Sequence, residues 1–261
     1  MKRYPDLITV SILVISFQWA HSQDTSAPDS EALQRVRKYQ LLEIEGDDEI
    51  PLEFSNQSVL NWSNPVFGTT GGGFFLWTRD RRVAAVMKTY QTKNGRWFEQ
   101  VRSFSNRPIL ARQTPDAAPF WSPPAAGEMK RLEDSPTPAS TATARLVQMK
   151  ALHRSFSVSG QLASGRQELR PLPRHLYRYN SEEGIDGALF AYVQGTGPDM
   201  LLILEARMLG DKPQWYYALG SIGIFEVEVQ RGGVTVWTEP RRTAQSTKPT
   251  DIYDGRGLAL P

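Results

Sequence analysis

Six prolines between residues 113 and 141 divide this chain into two hairpin-rich runs. Proline lacks the N–H that a helix interior or a central strand requires. The segment 113–141 therefore reads as a linker or a long surface excursion. Phe120 and Trp121 inside it predict one point pinned to the folded body.

On the N-terminal side, 74–78 (FFLWT), 83–90 (VAAVMKTY) and 97–104 (WFEQVRSF) are rich in aromatic and β-branched residues. Arg79-Asp80-Arg81-Arg82 separates the first two. Asn94-Gly95 separates the second and third, and that pair tolerates the positive φ of a type I′ turn. Region 49–112 is thus expected to be an antiparallel three-stranded meander.

On the C-terminal side, Ala142, Leu146, Met149, Leu152 or His153, and Phe156 recur at helical spacing. They predict one amphipathic helix, with Pro138 suited to its first turn. Residues 167–179 read as extended but hold two prolines, which suits a sheet edge. Strands follow at 187–194, 200–208, 214–219, 224–230 and 234–238. Met200–Leu204 is apolar without alternation, so both its faces should be covered. By contrast, Phe225-Glu-Val-Glu-Val229 alternates, which turns Glu226 and Glu228 to water. Helix and second meander together fill 142–239.

Residues 23–30 are polar, and 23–48 is expected to be a polar N-terminal segment with a short helix after Ser30 as N-cap and a loop at Gly46–Glu49. Residues 240–261 carry no pattern and are expected to be a disordered tail. The fold class expected is α+β, mainly antiparallel β, with two β-meanders flanking one amphipathic helix and a Pro-rich connecting segment. The meanders also resemble each other. Gly73-Phe-Phe-Leu-Trp77 and Trp97 are echoed by Gly187-Ala-Leu-Phe-Ala-Tyr192 and Trp215, at offsets of 114 and 118 residues. Internal duplication and convergent hairpin composition both account for this.

The first 22 residues read as a cleaved secretory leader. Lys2 and Arg3 precede the apolar run Leu7–Phe17, and Ala20 and Ser22 occupy the small-residue positions of a cleavage site before Gln23. The run is shorter than the ~20 residues of a membrane span, although an uncleaved anchor is the alternative. No membrane span is expected in the mature chain. The localisation expected is periplasm, cell envelope or the extracellular side.

Composition excludes several classes. The chain has no cysteine, so disulfide staples, thiol catalysis and cysteine zinc sites are absent. Loss of Lys2, Arg3 and Asp6 with the leader leaves 28 basic and 27 acidic residues, net +1, which does not advertise nucleic-acid binding. His153 and His175 are too far apart in sequence for a helical metal motif. No nucleophile elbow, phosphate loop or calcium loop is present. Neither a metal, a cofactor nor a catalytic residue is expected.

Trp97, Glu99, Glu205 and Trp215 are the candidate ligand-binding residues. An indole stacks on a sugar ring, and a neighbouring carboxyl accepts its hydroxyl hydrogen bonds or transfers a proton. Glu205 ends the most apolar run, where desolvation raises a carboxyl pKa. The plainer alternative pairs Glu205 with Arg207 and turns Glu99 to water. The basic stretch Arg166, Arg170, Arg174, His175 and Arg178 either meets an anionic polymer or guards an edge strand.

Several pieces resemble a family of exported proteins of planctomycete-type bacteria. They are Trp62-Ser-Asn-Pro65, Gly73–Trp77, Trp97-Phe-Glu99, Arg145–Met149, Leu169–Pro173, Leu176–Tyr179 and Asp186–Ala191. The resemblance spans about residues 60–238 and implies export but no activity and no catalytic residues. The function expected is a non-enzymatic binding or structural component of the periplasm or envelope, with envelope polysaccharide or another envelope protein as partner. The alternative is a carbohydrate-active hydrolase using Glu99 and Glu205.

Overall fold

A computed structural model describes residues 30–242 and 250–256. The expected leader and the stretch 23–29 lie outside the described residues. Helix α1 (Glu31–Val36) starts where Ser30 Oγ accepts the Leu33 N–H at 3.3 Å. The hairpin β1 (Gln40–Glu45) and β2 (Asp48–Pro51) follows. Short strands β3 (Glu53–Phe54) and β4 (Leu60–Asn64) then edge a meander of β5 (Thr69–Arg79), β6 (Arg82–Thr92) and β7 (Trp97–Ser103). Strand β8 (Ile109–Arg112) returns to pair with β1.

After the Pro-rich segment, which contributes only β9 (Lys130–Arg131), the same order runs again. Helix α2 (Ala142–Arg154) leads to the hairpin β10 (Phe156–Leu162) and β11 (Gly165–Glu168). Edge strands β12 (Arg170–Pro171) and β13 (Tyr177–Asn180) flank a meander of β14 (Asp186–Val193), β15 (Met200–Leu209) and β16 (Lys212–Ser221). Strand β17 (Glu226–Arg231) returns to β10. Two additions complete the chain: β18 (Val234–Glu239) on β17, and β19 (Tyr253–Arg256) on β7. All pairings are antiparallel, and the expected fold class stands.

The two meanders form two six-stranded sheets rather than one. Their inner faces share a core of Phe74, Leu76 and Val86 with Leu189, Ala191, Leu201 and Ile203. The outer face of the first packs Phe75, Trp77 and Met87 under α1 and the sheet β2-β1-β8. On the outer face of the second, Phe190, Tyr192, Leu202 and Leu204 lie under α2 and the sheet β11-β10-β17-β18. Covered on both sides, the meander strands need no alternation, which explains the unbroken run Met200–Leu204.

Strand register relates the halves. Trp62, Gly72, Tyr90 and Phe98 lie in one row across the first sheet; Tyr179, Gly187, Glu205 and Tyr216 lie in the matching row of the second. In each row an aromatic ring lies over the glycine. A Cβ on Gly72 would fall 2.6 Å from the Trp62 ring, and one on Gly187 2.3 Å from the Tyr179 ring. Gly187 therefore matches Gly72 at an offset of 115, not Gly73 at 114. A one-residue slip would turn the side chains to the wrong face. The Trp97–Trp215 offset of 118 holds, because Gln91 pairs with Trp97 as Ala206 pairs with Trp215.

Each half also reaches into the other. Asp80 and Arg81 in the β5–β6 turn accept from Glu182 N at 2.9 Å and donate to Asn180 O at 3.3 Å. In return Lys88 Nζ donates to Pro198 O at 2.7 Å and sits 3.2 Å from Asp199 in the β14–β15 loop. The β5–β6 turn is the type I′ one, with φ of 48° at Asp80 and 59° at Arg81. Asn94-Gly95 instead closes a longer loop in which only Gly95 has positive φ, at 79°.

Other expectations are corrected. The short helix expected after Ser30 forms as α1, but 23–48 is no polar preamble: its described part also supplies β1, with Leu41 and Leu42 buried. Helix α2 is capped by Thr141, so Pro138 lies outside the first turn, and Phe156 begins a strand. The tail expected to be disordered at 240–261 returns in its described part as β19. The Pro-rich segment is pinned by the fully buried Trp121, as expected, and again by Leu132 in the second half.

Candidate functional site

Near the open end of β5 and β6 lies a groove of about 740 Å³, bordered by α1, β4, Trp97 and Thr196. Its floor is backbone, Gly71 and Gly72. A Cβ on Gly71 would meet nothing within 4 Å, and its φ is not positive, so the missing side chain is the space itself. Register sends Asn61, Gln91 and Trp97 to the α1 side with Gly71, because Asn61 pairs with Gly73 and Gln91 pairs with both Gly71 and Trp97. Ser63, Thr70 and Thr196 add hydroxyls, and Glu31 is the one charged lining residue.

Trp97 is half-buried, with the Arg35 guanidinium 5.0 Å from its ring centroid. Arg35 is itself spoken for, its Nε 3.5 Å from Glu99 Oε1 without hydrogen-bond geometry. Gln91 Nε2 donates to Gly95 O at 3.3 Å, which holds its amide at the rim.

The other expected site residues separate. Glu99 is buried beneath α1, where it accepts a hydrogen bond from Tyr39 Oη. Burial, then the charge of Glu99, pushes the Tyr39 phenol far above its ordinary pKa. Glu205 is buried between the two meanders. It accepts from Tyr179 Oη at 2.5 Å, Arg82 Nε at 3.1 Å and Arg207 Nε at 2.6 Å. Burial, with Glu205 next, likewise holds the Tyr179 phenol protonated. The plainer reading of Glu205 stands, and Arg82 and Tyr179 join Arg207. Glu99 does not face water, and the two acids lie on opposite sides of the first meander sheet. They do not meet as an acid/base pair. Trp215 is fully buried, its Nε1 donating to Pro136 O at 2.9 Å, and is core.

Two of the basic residues are engaged structurally. Arg166 pairs with Glu228 at 2.7 Å, and Arg178 pairs with Asp186. A second cleft, about 580 Å³, opens between the halves beside Arg79, Arg82, Arg107 and Arg207. Its charges largely cancel: Glu205 takes Arg82 and Arg207, Glu45 takes Arg107, and Asp80, Glu128 and Glu183 line it too. Among the described residues no cluster of three or more His, Asp and Glu is placed to hold a metal ion.

Only Trp97 of the expected residues borders an open site. Thr70 and Gln91 were not singled out by sequence, and Asn61 and Gly71 were not read as ligand-binding residues. The signal that could have found them is the Gly71-Gly72-Gly73 run, which is costly inside a strand unless something occupies the vacated space. No protein-family model, curated protein or solved structure matches this chain.

Proposed function

We propose that this chain is an exported, non-enzymatic binding protein of the periplasm or cell envelope, cut from its leader before Gln23. Its ligand is an envelope component seated in the groove over Gly71. The observation that carries this reading is the floor of the groove. Glycine at position 71 weakens a strand by roughly 0.5–1 kcal/mol relative to a residue with a side chain; the register of β5 on β6 shifts there, but its φ is not positive and no neighbour excludes a Cβ. A cost kept at the floor of an open groove fits a place kept for a ligand.

The test is co-sedimentation of the purified protein with isolated envelope material at moderate salt, beside Gly71→Leu. The reading expects binding by the parent and its loss in the variant, which fills the groove without strain. No co-sedimentation, or equal co-sedimentation of both proteins, overturns it. Mass spectrometry of the exported protein tests the leader separately, and the mature chain is expected to start at Gln23.

A further inference from the structure

We infer that the groove over Gly71 takes an uncharged saccharide segment, an inference that rests on the binding reading above and names its ligand class. Three features of the groove narrow the chemistry.

First, the floor strand β5 is flanked on both sides. Gly72 pairs with Trp62 of β4 and Tyr90 of β6, Gly71 pairs with Gln91 of β6, and β4 resumes past Gly71 where Asn64 pairs with Thr69. A peptide adding as an extra strand needs an open sheet edge, and the floor offers none. Recognition must come from side chains.

Second, the charge is wrong for an anion. No lysine or arginine lines the groove, and the Arg35 guanidinium lies over Trp97 and beside Glu99. Phosphate, sulfate or uronate groups would meet no basic lining residue and one acid, Glu31. Anion sites are built the opposite way, from converging guanidinia and N–H donors.

Third, the uncharged polar groups are amides and hydroxyls grouped with two indoles, Trp62 and Trp97. Asn61 can both donate and accept, matching sugar hydroxyls that do the same, and Gln91, bonded to Gly95 O and Thr70 Oγ1, keeps a second N–H and a second lone pair. Trp97, partly buried against the core with Arg35 over its ring, and Trp62 supply the aromatic surface that lines the groove, and such surface suits the C–H face of a pyranose. The groove volume lies within the ~300–1,000 Å³ of ordinary ligand sites.

The experiment is titration calorimetry with tryptophan fluorescence on the purified protein. Uncharged hexaoses of β-1,4-glucose, β-1,3-glucose, β-1,4-xylose and α-1,4-glucose are compared with oligogalacturonate as the anionic probe. Binding of at least one neutral hexaose is expected, with no measurable oligogalacturonate binding. Trp97→Ala should weaken the neutral ligand about tenfold or more, and Asn61→Ala several-fold. Gly71→Leu should abolish binding while circular dichroism stays that of the parent and melting does not fall, which keeps the test decisive if Trp97→Ala folds poorly.

Binding of oligogalacturonate alone, or of no saccharide, overturns the inference. So does neutral binding that survives Gly71→Leu. If envelope co-sedimentation is groove-dependent while every neutral hexaose fails, the ligand class is wrong and the binding reading stands. If co-sedimentation also fails, both fall.

Discussion

The two halves repeat one plan, yet the place that is open in the first is filled in the second. Register puts Asp186 where Gly71 stands, Arg178 where Asn61 stands, Ala206 where Gln91 stands and Trp215 where Trp97 stands. The Asp186 carboxyl, buried, pairs with Arg178 and with Arg145 of α2, the latter at 2.5 Å. Over this triad lies a helix of thirteen residues, against six in α1. Trp215 sinks into the core while Trp97 stays at a rim. One topology thus supports a closed wall or a groove. The choice rests on a few side chains and the length of one helix, which is how a scaffold acquires a site without changing its fold.

The largest expected effect tests the closed half. Trp215→Ala should cost about 3–5 kcal/mol in urea unfolding, and Trp97→Ala less than half of that. Equal costs would mean that Trp97 is core as well and the groove is not a free surface.

Next comes the triad. Asp186→Ala leaves Arg145 and Arg178 facing each other, and should cost about 2–3 kcal/mol, below the ~3–5 of a fully buried pair because both arginines are partly exposed. A change within ~0.5 kcal/mol would show that the plug is decorative.

Acid should distinguish the halves by a somewhat smaller margin. His153 lies stacked on Phe190 in the second half, its ring centroid 4.5 Å away, and burial, then Arg154, pushes its pKa down to about 4. The folded value lies below the unfolded one. The unfolded chain therefore takes up the proton first as pH falls, and stability drops from about pH 6.5 towards 4. Between pH 6.5 and 5 the loss is about 2 kcal/mol. Hydrogen exchange at pH 5 should loosen α2 and β14 before β5 and β6, and His153→Phe should flatten the dependence. Uniform loosening in the wild-type protein would remove this asymmetry.

The smallest stability effect carries the functional contrast. Gly71→Asp with Asn61→Arg copies part of the second half's plug into the first. It should shift unfolding by only about 0.5 kcal/mol, because both positions are solvent-facing, while abolishing envelope co-sedimentation. Retained co-sedimentation would separate the groove from binding.

Much of the fold was legible because hairpin chemistry is local. Aromatic and β-branched runs marked the meanders, and Thr141 to Arg154 held to its helical spacing. The likeness of the meanders was legible too, but its register was not. Gly73 and Gly187 align by eye, and only the pairing with Trp62 and Tyr179 shows that Gly72 is the true match. The site was least legible. Glu99 and Glu205 look alike as acids on apolar strands, but alternation within a sheet is readable, whereas which layer covers each face is not. Glu205 depends on Arg82, 123 residues away, and Glu99 on Tyr39, 60 away.

By itself, the sequence determined the meander strands, the helices after Ser30 and Thr141, the pinned point at Trp121 and the thiol chemistry excluded by absent cysteine. These follow from short-range propensity and from counting, which need no knowledge of neighbours. Tertiary structure alone decided that the meanders stack face to face, that Glu99 and Glu205 are consumed by structural partners, and that Gly71 opens a groove where Asp186 closes one. Burial and pairing are properties of what arrives from elsewhere in the chain, and no local window contains them.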